Sequence, residues 1–193
     1  MRDLTRTLVD WLAAGGNRIG QVIIRPGAGF ELRHELDSDR DDLVAHTSAE
    51  AARHLANFDD AGNFRPLKTA PTLARGWRLT LPDAAQLRRA LDYFYPAMSG
   101  CAASFSRGEL AAVPLRGTLA RQTGMYRVTQ QIADVQARAT IERFCADCLK
   151  QRLWEIDAPN PQPPRIVPRE LPLLCHEACN LLVAEMRRVV KEQ

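Results

Sequence analysis

Hydrophobic positions in the first part of the chain follow both a helical and a strand-like pattern. Leucine and tryptophan return every three to four residues over 4–12, which predicts a short amphipathic helix that ends at a Gly-Gly pair. Apolar residues fill 22–24 and alternate with charged residues over 30–36, which predicts two strands joined by the turn 26–29. This part of the chain therefore contains a small predicted sheet.

Two further patterns complete the predicted N-terminal part. Ser48 is a typical N-cap residue and predicts a helix that continues to about residue 56. Apolar and polar residues alternate over 77–81, which predicts a half-buried strand. The Pro-Asp pair that follows this strand favours the start of a helix that continues to about residue 95.

The second half of the chain is predicted to be mainly helical. Apolar spacing predicts helices over 107–122, 132–152 and 173–190, and Pro114 interrupts the first of them. Six of the twelve prolines fall in 159–172, which excludes a helix or a central strand there. We interpret this stretch as a stiff, extended connector.

The predicted fold class is therefore α+β. A small sheet with helices is expected over 1–84, and a mainly helical, cysteine-bearing half over 85–193, and the two parts can also pack as one domain. The net charge of +3 is too small to indicate a nucleic-acid-binding protein. No apolar run approaches the roughly 20 residues of a membrane span, and no signal peptide is recognised, so we expect a cytoplasmic protein without membrane partners.

Four of the five cysteines form two close pairs. Cys145 and Cys148 are three residues apart, Cys175 and Cys179 are four apart, and 26 residues separate the pairs. We expect a helical turn or a tight turn to place the first two sulfurs on one side, and one helix face to present the other two. Because converging thiolates repel one another and are costly to bury without a cation, the pattern predicts a metal centre.

Two kinds of centre use four cysteine thiolates, a [4Fe–4S] cluster and a structural zinc ion. Zinc ribbons usually carry two Cys-x-x-Cys pairs about 15–20 residues apart, whereas the second pair here is Cys-x-x-x-Cys and the gap is longer. The spacing therefore favours the cluster, and a zinc-binding protein-interaction module is the alternative. Buried cysteines without a metal are a further alternative. We interpret Cys101 as a packed small residue and His176 as an exposed or supporting side chain.

The order of motifs in the second half resembles a known family, the 4Fe–4S cluster-binding domain at the C-terminus of CbiX-type sirohydrochlorin cobaltochelatase-like proteins. The resemblance covers roughly residues 85–193. It implies a cluster held by all four paired cysteines and a link to cobalamin or other tetrapyrrole metabolism. The motifs that carry it are Arg121-Gln122-Thr123-Gly124-Met125-Tyr126-Arg127, Cys145-x-x-Cys148-Leu149, Leu153-Trp154 and Leu174-Cys175-x-x-x-Cys179-Asn180-Leu181.

Basic residues are in excess around the first pair, since 107–152 carry eight basic and four acidic side chains. Arg121, Tyr126 and Arg127 are candidate cofactor-binding residues, because they can donate hydrogen bonds to cluster sulfurs or pair with tetrapyrrole carboxylates. An exposed cationic helix end explains them equally well. Phe144 and Trp154 flank the first pair and can shield a cluster from water, although ordinary core packing explains them too.

No catalytic site is predicted. A chelatase domain with repeating βα units is not recognised, and the four histidines are scattered: His34, His46, His54 and His176. Four cysteine ligands leave no open iron position for a substrate, so we expect an accessory or electron-transfer protein rather than an enzyme. The expected partner is a protein of tetrapyrrole metabolism or a redox donor.

Overall fold

The computed structural model describes residues 4–57, 73–156 and 164–192. The chain divides into two compact units. The N-terminal unit comprises Met1–Glu109 with Ile166–Leu173, and the cysteine unit comprises Leu110–Arg165 with Leu174–Gln193.

Helices and strands are both present in the described residues, which confirms the α+β class. The α-helices are α1 (Leu4–Ala13), α2 (Ala49–Leu55), α3 (Ala84–Phe94), α4 (Met98–Ser106), α5 (Leu115–Ala120), α6 (Asp134–Phe144) and α7 (Asn180–Lys191). Two 3₁₀ helices cover Glu35–Asp37 and Gly124–Gln131. The strands are β1 (Arg18–Ile19), β2 (Val22–Pro26), β3 (Phe30–His34), β4 (Val44–His46), β5 (Trp77–Leu81), β6 (Val113–Pro114), β7 (Gln151–Arg152), β8 (Trp154–Glu155), β9 (Glu170–Leu171) and β10 (Leu174–Cys175).

The N-terminal unit is built on a six-stranded sheet with the order β4-β5-β3-β2-β1-β9. Strands β2, β3 and β5 pair antiparallel, whereas β4 is parallel to β5 and β9 is parallel to β1. The predicted strands and the turn between β2 and β3 are confirmed. The predicted alternation of apolar and polar residues over β5 is also confirmed, because Trp77, Leu79 and Leu81 are buried.

The predicted helix starts in this unit are confirmed by their caps. The Ser48 side chain accepts a hydrogen bond from the Glu50 backbone N–H at the start of α2. The Asp83 carboxylate accepts one from the Gln86 backbone N–H at 2.8 Å at the start of α3. Both satisfy N–H groups that the first helical turn leaves without an intrahelical acceptor.

A close approach near β1 requires a glycine. The Tyr95 hydroxyl accepts a hydrogen bond from the Gln21 backbone N–H at 2.8 Å. Gly20 has a φ of +55°, and a Cβ there would lie 2.7 Å from the Tyr95 hydroxyl oxygen. A side chain at this position would meet both backbone strain and a steric clash.

The predicted boundary between residues 84 and 85 does not coincide with the observed division, which comes after Glu109. Helix α3 belongs to the N-terminal unit because its buried face packs there, with Phe94 stacked on Trp77 at a centroid distance of 5.0 Å. Residues 166–173 join the same unit because β9 pairs with β1.

The cysteine unit places α5, α6 and α7 around one apolar core, with the short strand pairs β6–β8 and β7–β10 beside it. The buried core residues are Leu115, Leu119, Ile132, Ala137, Ile141, Trp154, Ile156, Ala178, Leu182, Val183 and Met186.

The helices of this unit are shorter than predicted. The helix predicted over 107–122 is confined to α5 after Pro114, and the one predicted over 132–152 ends at Phe144. The helix predicted from residue 173 begins only at Asn180. In both later cases strand pairing takes two of the missing residues, because Gln151–Arg152 of β7 pair with Leu174–Cys175 of β10.

The proline-rich connector is only partly within the described residues, since its first part, 159–163, lies outside them. Residues 164–169 form no helix or strand, and β9 occupies an edge of the sheet, which agrees with the predicted exclusion of a helix and a central strand. Among the described helices, none combines the length and the apolar character that crossing a bilayer requires.

Candidate metal centre

The first cysteine pair lies in a turn at the C-terminal end of α6. The Cys145 backbone N–H donates to the Ile141 carbonyl at 2.8 Å and closes the last helical turn. The Cys148 backbone N–H then donates to the Cys145 carbonyl at 3.2 Å. This tight turn was one of the two predicted ways to bring the two sulfurs to one side, and both residues are half-buried.

The second pair does not lie on one helix face, so that prediction is wrong. Cys175 ends β10, whereas Cys179 is the residue immediately before α7. The cause is a backbone contact distant in sequence: Cys175 is in register with Arg152 of β7, and the Leu153 N–H donates to the Cys175 carbonyl at 2.9 Å. Because Cys175 pairs in a strand, the helix that the four-residue spacing predicted does not form there, and α7 begins only after Cys179.

Both pairs nevertheless meet at one core. Cys145, Cys175 and Cys179 pack against the apolar core of the cysteine unit. Burial, together with negative charge on the other three paired cysteines, raises the pKa of Cys145 to about 11. Cys148 lies in the same tight turn as Cys145, so all four paired cysteines belong to one part of the cysteine unit.

The four sulfurs are not arranged around a single ion. Among the described residues, no group of three or more His, Cys, Asp and Glu side chains is placed to hold one metal ion. A zinc ion would draw four sulfurs to within about 3.8 Å of one another, given tetrahedral geometry and zinc–sulfur bonds of about 2.3 Å. Zinc binding would therefore require these side chains to move together.

The electrostatic surroundings also fit an anionic cofactor. Arg152 opposes the effect of burial on the pKa of Cys145. Burial also raises the pKa of Cys175, and the Trp154 side chain and Lys150 act in the opposite direction. Since the burial of bare thiolates is unfavourable, a cation-containing core is needed to hold these side chains in the deprotonated form.

A buried donor beside the cysteines provides a further test of the fit. The Trp154 indole Nε1 is buried and has no acceptor in full hydrogen-bond geometry among the described residues. It lies close enough to influence Cys175. Thiolate ligands are hydrogen-bond acceptors, and iron–sulfur proteins use such bonds to set the reduction potential. The donor set and this unsatisfied N–H both fit a [4Fe–4S] cluster.

Two of the three predicted cofactor-binding residues contact residues of the second pair's segment or of α7. Arg121 forms an ion pair with Glu177, which lies between Cys175 and Cys179, at 2.6 Å. The Tyr126 ring lies under the Arg187 guanidinium, at 5.8 Å from its centroid. Arg127 is exposed. A direct role of these three residues toward the cluster stays a prediction.

Sequence reasoning did not single out Lys150 and Arg152, whose charges act on the cysteines. Their place two and four residues after Cys148 was the available signal, but the excess of basic residues over 107–152 obscured it. Of the two predicted shielding residues, Trp154 is 5% exposed and Phe144 is 39% exposed.

Two residues that are not assigned as ligands, His176 and Cys101, have different positions in the structure. His176 is half-buried in the segment between Cys175 and Cys179. Cys101 belongs to α4 of the N-terminal unit, and the other four cysteines belong to the cysteine unit. That Cys101 is not a ligand stays a prediction.

Comparison with known proteins assigns both halves of the chain. A family model described as a DR2241 stabilising domain matches residues 6–103, and one described as a 4Fe-4S iron-sulfur cluster binding domain matches residues 107–188. The second match confirms the family resemblance and the [4Fe–4S] cofactor expected from the sequence. A search of curated proteins finds no match.

A solved structure matches nearly the whole chain. It is the crystal structure of DR2241 from Deinococcus radiodurans, described as a multi-domain protein with structural similarity to chelatases and two additional novel domains. The TM-score is 0.83 at 36% sequence identity, and the match covers 98% of this chain but only 41% of that one. The chain thus belongs to the DR2241 stabilising domain family over its first half and carries a 4Fe-4S cluster binding domain in its second.

Proposed function

We propose that Cys145, Cys148, Cys175 and Cys179 are the ligands of the [4Fe–4S] cluster, and that the loaded chain is a redox or accessory factor of tetrapyrrole metabolism. The observation that supports the ligand assignment is that Cys145 packs against the same apolar core as Cys175 and Cys179, while Cys148 lies in the turn that begins at Cys145. When bound, the cluster would supply one-electron redox chemistry.

The chain's own residues define the environment of this cofactor. Apolar side chains of α6 and α7 exclude water from one side of the cysteines. Lys150 and Arg152 supply positive charge beside Cys175 and Cys145, respectively. Because the four thiolates and the cluster carry net negative charge, these two cations stabilise the loaded state and favour the acceptance of an electron.

A serine series tests the ligand assignment. Each of the four paired cysteines is changed singly to serine, and the proteins are reconstituted anaerobically with iron and sulfide. Visible absorption of the thiolate-to-iron bands is then measured per chain. Each variant is expected to lose most of this absorption, and Cys101→Ser, the matched control, is expected to retain it. Loss in the control, or retention in any of the four, would show that the ligand set is different.

The link to tetrapyrroles is supported by the likeness to a multi-domain protein that resembles chelatases. This chain spans less than half of that protein, so we propose an accessory role beside a chelatase-type partner rather than chelatase activity of its own. A cytoplasmic location is part of the proposal, since a reducing compartment keeps cysteine ligands in the thiol form.

Cobalt insertion into sirohydrochlorin by a CbiX-type chelatase tests this role. The chelatase is assayed alone, with the cluster-loaded chain, and with the Cys148→Ser chain. A higher rate or a longer active lifetime of the chelatase with the loaded chain only would support the proposal. The same rate and lifetime in all three reactions would contradict the accessory role. This result would not contradict the assignment of the cluster to this chain.

A further inference from the structure

Trp154 carries a buried hydrogen-bond donor that is not fully satisfied. Its side chain is only 5% exposed, and among the described residues its Nε1 has no acceptor in full hydrogen-bond geometry, although the indole already acts on Cys175. A buried indole N–H normally finds a partner, because an unsatisfied buried donor is costly. Trp77 in the N-terminal unit shows the usual solution, since its Nε1 donates to the Ala74 carbonyl.

The backbone places this indole beside Cys175. Arg152 is in register with Cys175, and the next residue, Leu153, donates its N–H to the Cys175 carbonyl at 2.9 Å. Trp154 follows directly, in β8, and belongs to the same apolar core against which Cys175 packs. The β7–β10 pair therefore holds the backbone of Cys175 next to the segment that carries Trp154, and the β6–β8 pair holds the backbone of Trp154 itself.

A cation limits the freedom of the ring. The Arg152 guanidinium lies over the Trp154 ring, at 5.8 Å from its centroid, in cation–π geometry. Because one face of the ring is covered in this way and the rest is buried in the core, reorientation of the indole toward solvent is disfavoured.

We propose that the Trp154 indole N–H donates a hydrogen bond to the Cys175 sulfur in the loaded protein and raises the reduction potential of the cluster. The inference rests on the proposed ligand set. Reduction by a low-potential one-electron donor adds one electron to the cluster, and the indole keeps its proton. The reduced state carries more negative charge on its sulfurs, so the hydrogen bond stabilises it more than the oxidised state.

Potentiometric titration followed by EPR tests the inference on the reconstituted full chain. In Trp154→Phe we expect a potential lower by about 59 mV, which corresponds to a tenfold change in a one-electron equilibrium. Site-specific replacement of Trp154 by 3-benzothienylalanine keeps the ring shape without the N–H, and we expect the same shift. Ile156→Val is the matched control, because Ile156 is buried in the same core and has no polar atom.

A second readout detects the hydrogen bond itself. Pulsed EPR of the reduced wild-type protein should show an exchangeable proton coupled to the cluster that is absent from the benzothienylalanine variant. An unchanged potential and an unchanged proton signal in a fully loaded variant would overturn the inference. Failure of the wild-type protein to bind a cluster would instead refute the proposed function, so the two failures are distinguishable.

Discussion

Truncation of Ile141 tests whether the apolar core positions the cysteines. This side chain is fully buried in the core that Cys145, Cys175 and Cys179 contact, and its carbonyl accepts the Cys145 N–H at 2.8 Å. Ile141→Ala removes three carbon atoms, worth about 2.4 kcal/mol at about 0.8 kcal/mol each. The cavity adds to this cost, so we expect a loss of about 3–4 kcal/mol in the free energy of unfolding of this unit.

Hydrogen exchange followed by mass spectrometry measures this loss in the intact apo-protein, because it reports on α6 and α7 separately from the other unit. Val135→Ala is the matched control: it lies on the same helix, is 74% exposed and should change stability by less than about 0.5 kcal/mol. Since the cluster binds only the folded unit, loading should partly offset the Ile141→Ala defect. Equal exchange in the two variants would refute the assigned role of the core.

Three further substitutions test individual contacts. The Arg121–Glu177 pair has both side chains more than half exposed, so a double-mutant cycle by urea denaturation should give a coupling of about 0.2–1 kcal/mol. Asp83→Ala removes the cap of α3 and should cost about 1 kcal/mol in thermal denaturation. Gly20→Ala should cost about 1–3 kcal/mol by urea denaturation, because it adds backbone strain and a clash with Tyr95.

Each of these expectations has a result that would contradict it. No coupling between Arg121 and Glu177, together with a changed reduction potential in Arg121→Ala alone, would indicate that Arg121 acts on the cluster and not on Glu177. Unchanged melting of Asp83→Ala, with Asp83→Asn as the conservative control, would show that the cap is dispensable. A Gly20→Ala protein as stable as the wild type would mean that the loop and Tyr95 can move apart.

The sequence predicted most of the N-terminal unit because its signals are local. The alternation over 77–81 and the capping residues Ser48 and Asp83 act within a few positions of the element that they define. The order of the strands was not predictable in the same way, since the pairing of β9 with β1 joins residues about 150 positions apart.

The site was predicted where its chemistry is visible in the pattern of residue types and missed where it depends on tertiary contacts. Two close cysteine pairs indicate a metal centre in any fold, but a pair of two-residue strands leaves no periodic signal. The four-residue spacing of Cys175 and Cys179 therefore suggested a helix. The position of Arg152 and Trp154 beside Cys175 of the second pair follows from that same strand pairing and was equally hidden.

Chemical analysis of the anaerobically purified chain measures the cofactor most directly. Iron, acid-labile sulfide and zinc are determined per chain, and EPR is recorded after reduction. One [4Fe–4S] cluster predicts four iron and four sulfide per chain, little zinc, and an EPR signal that appears on reduction. A colourless protein with one zinc ion per chain and no sulfide would contradict the assignment of the four cysteines to an iron–sulfur cluster.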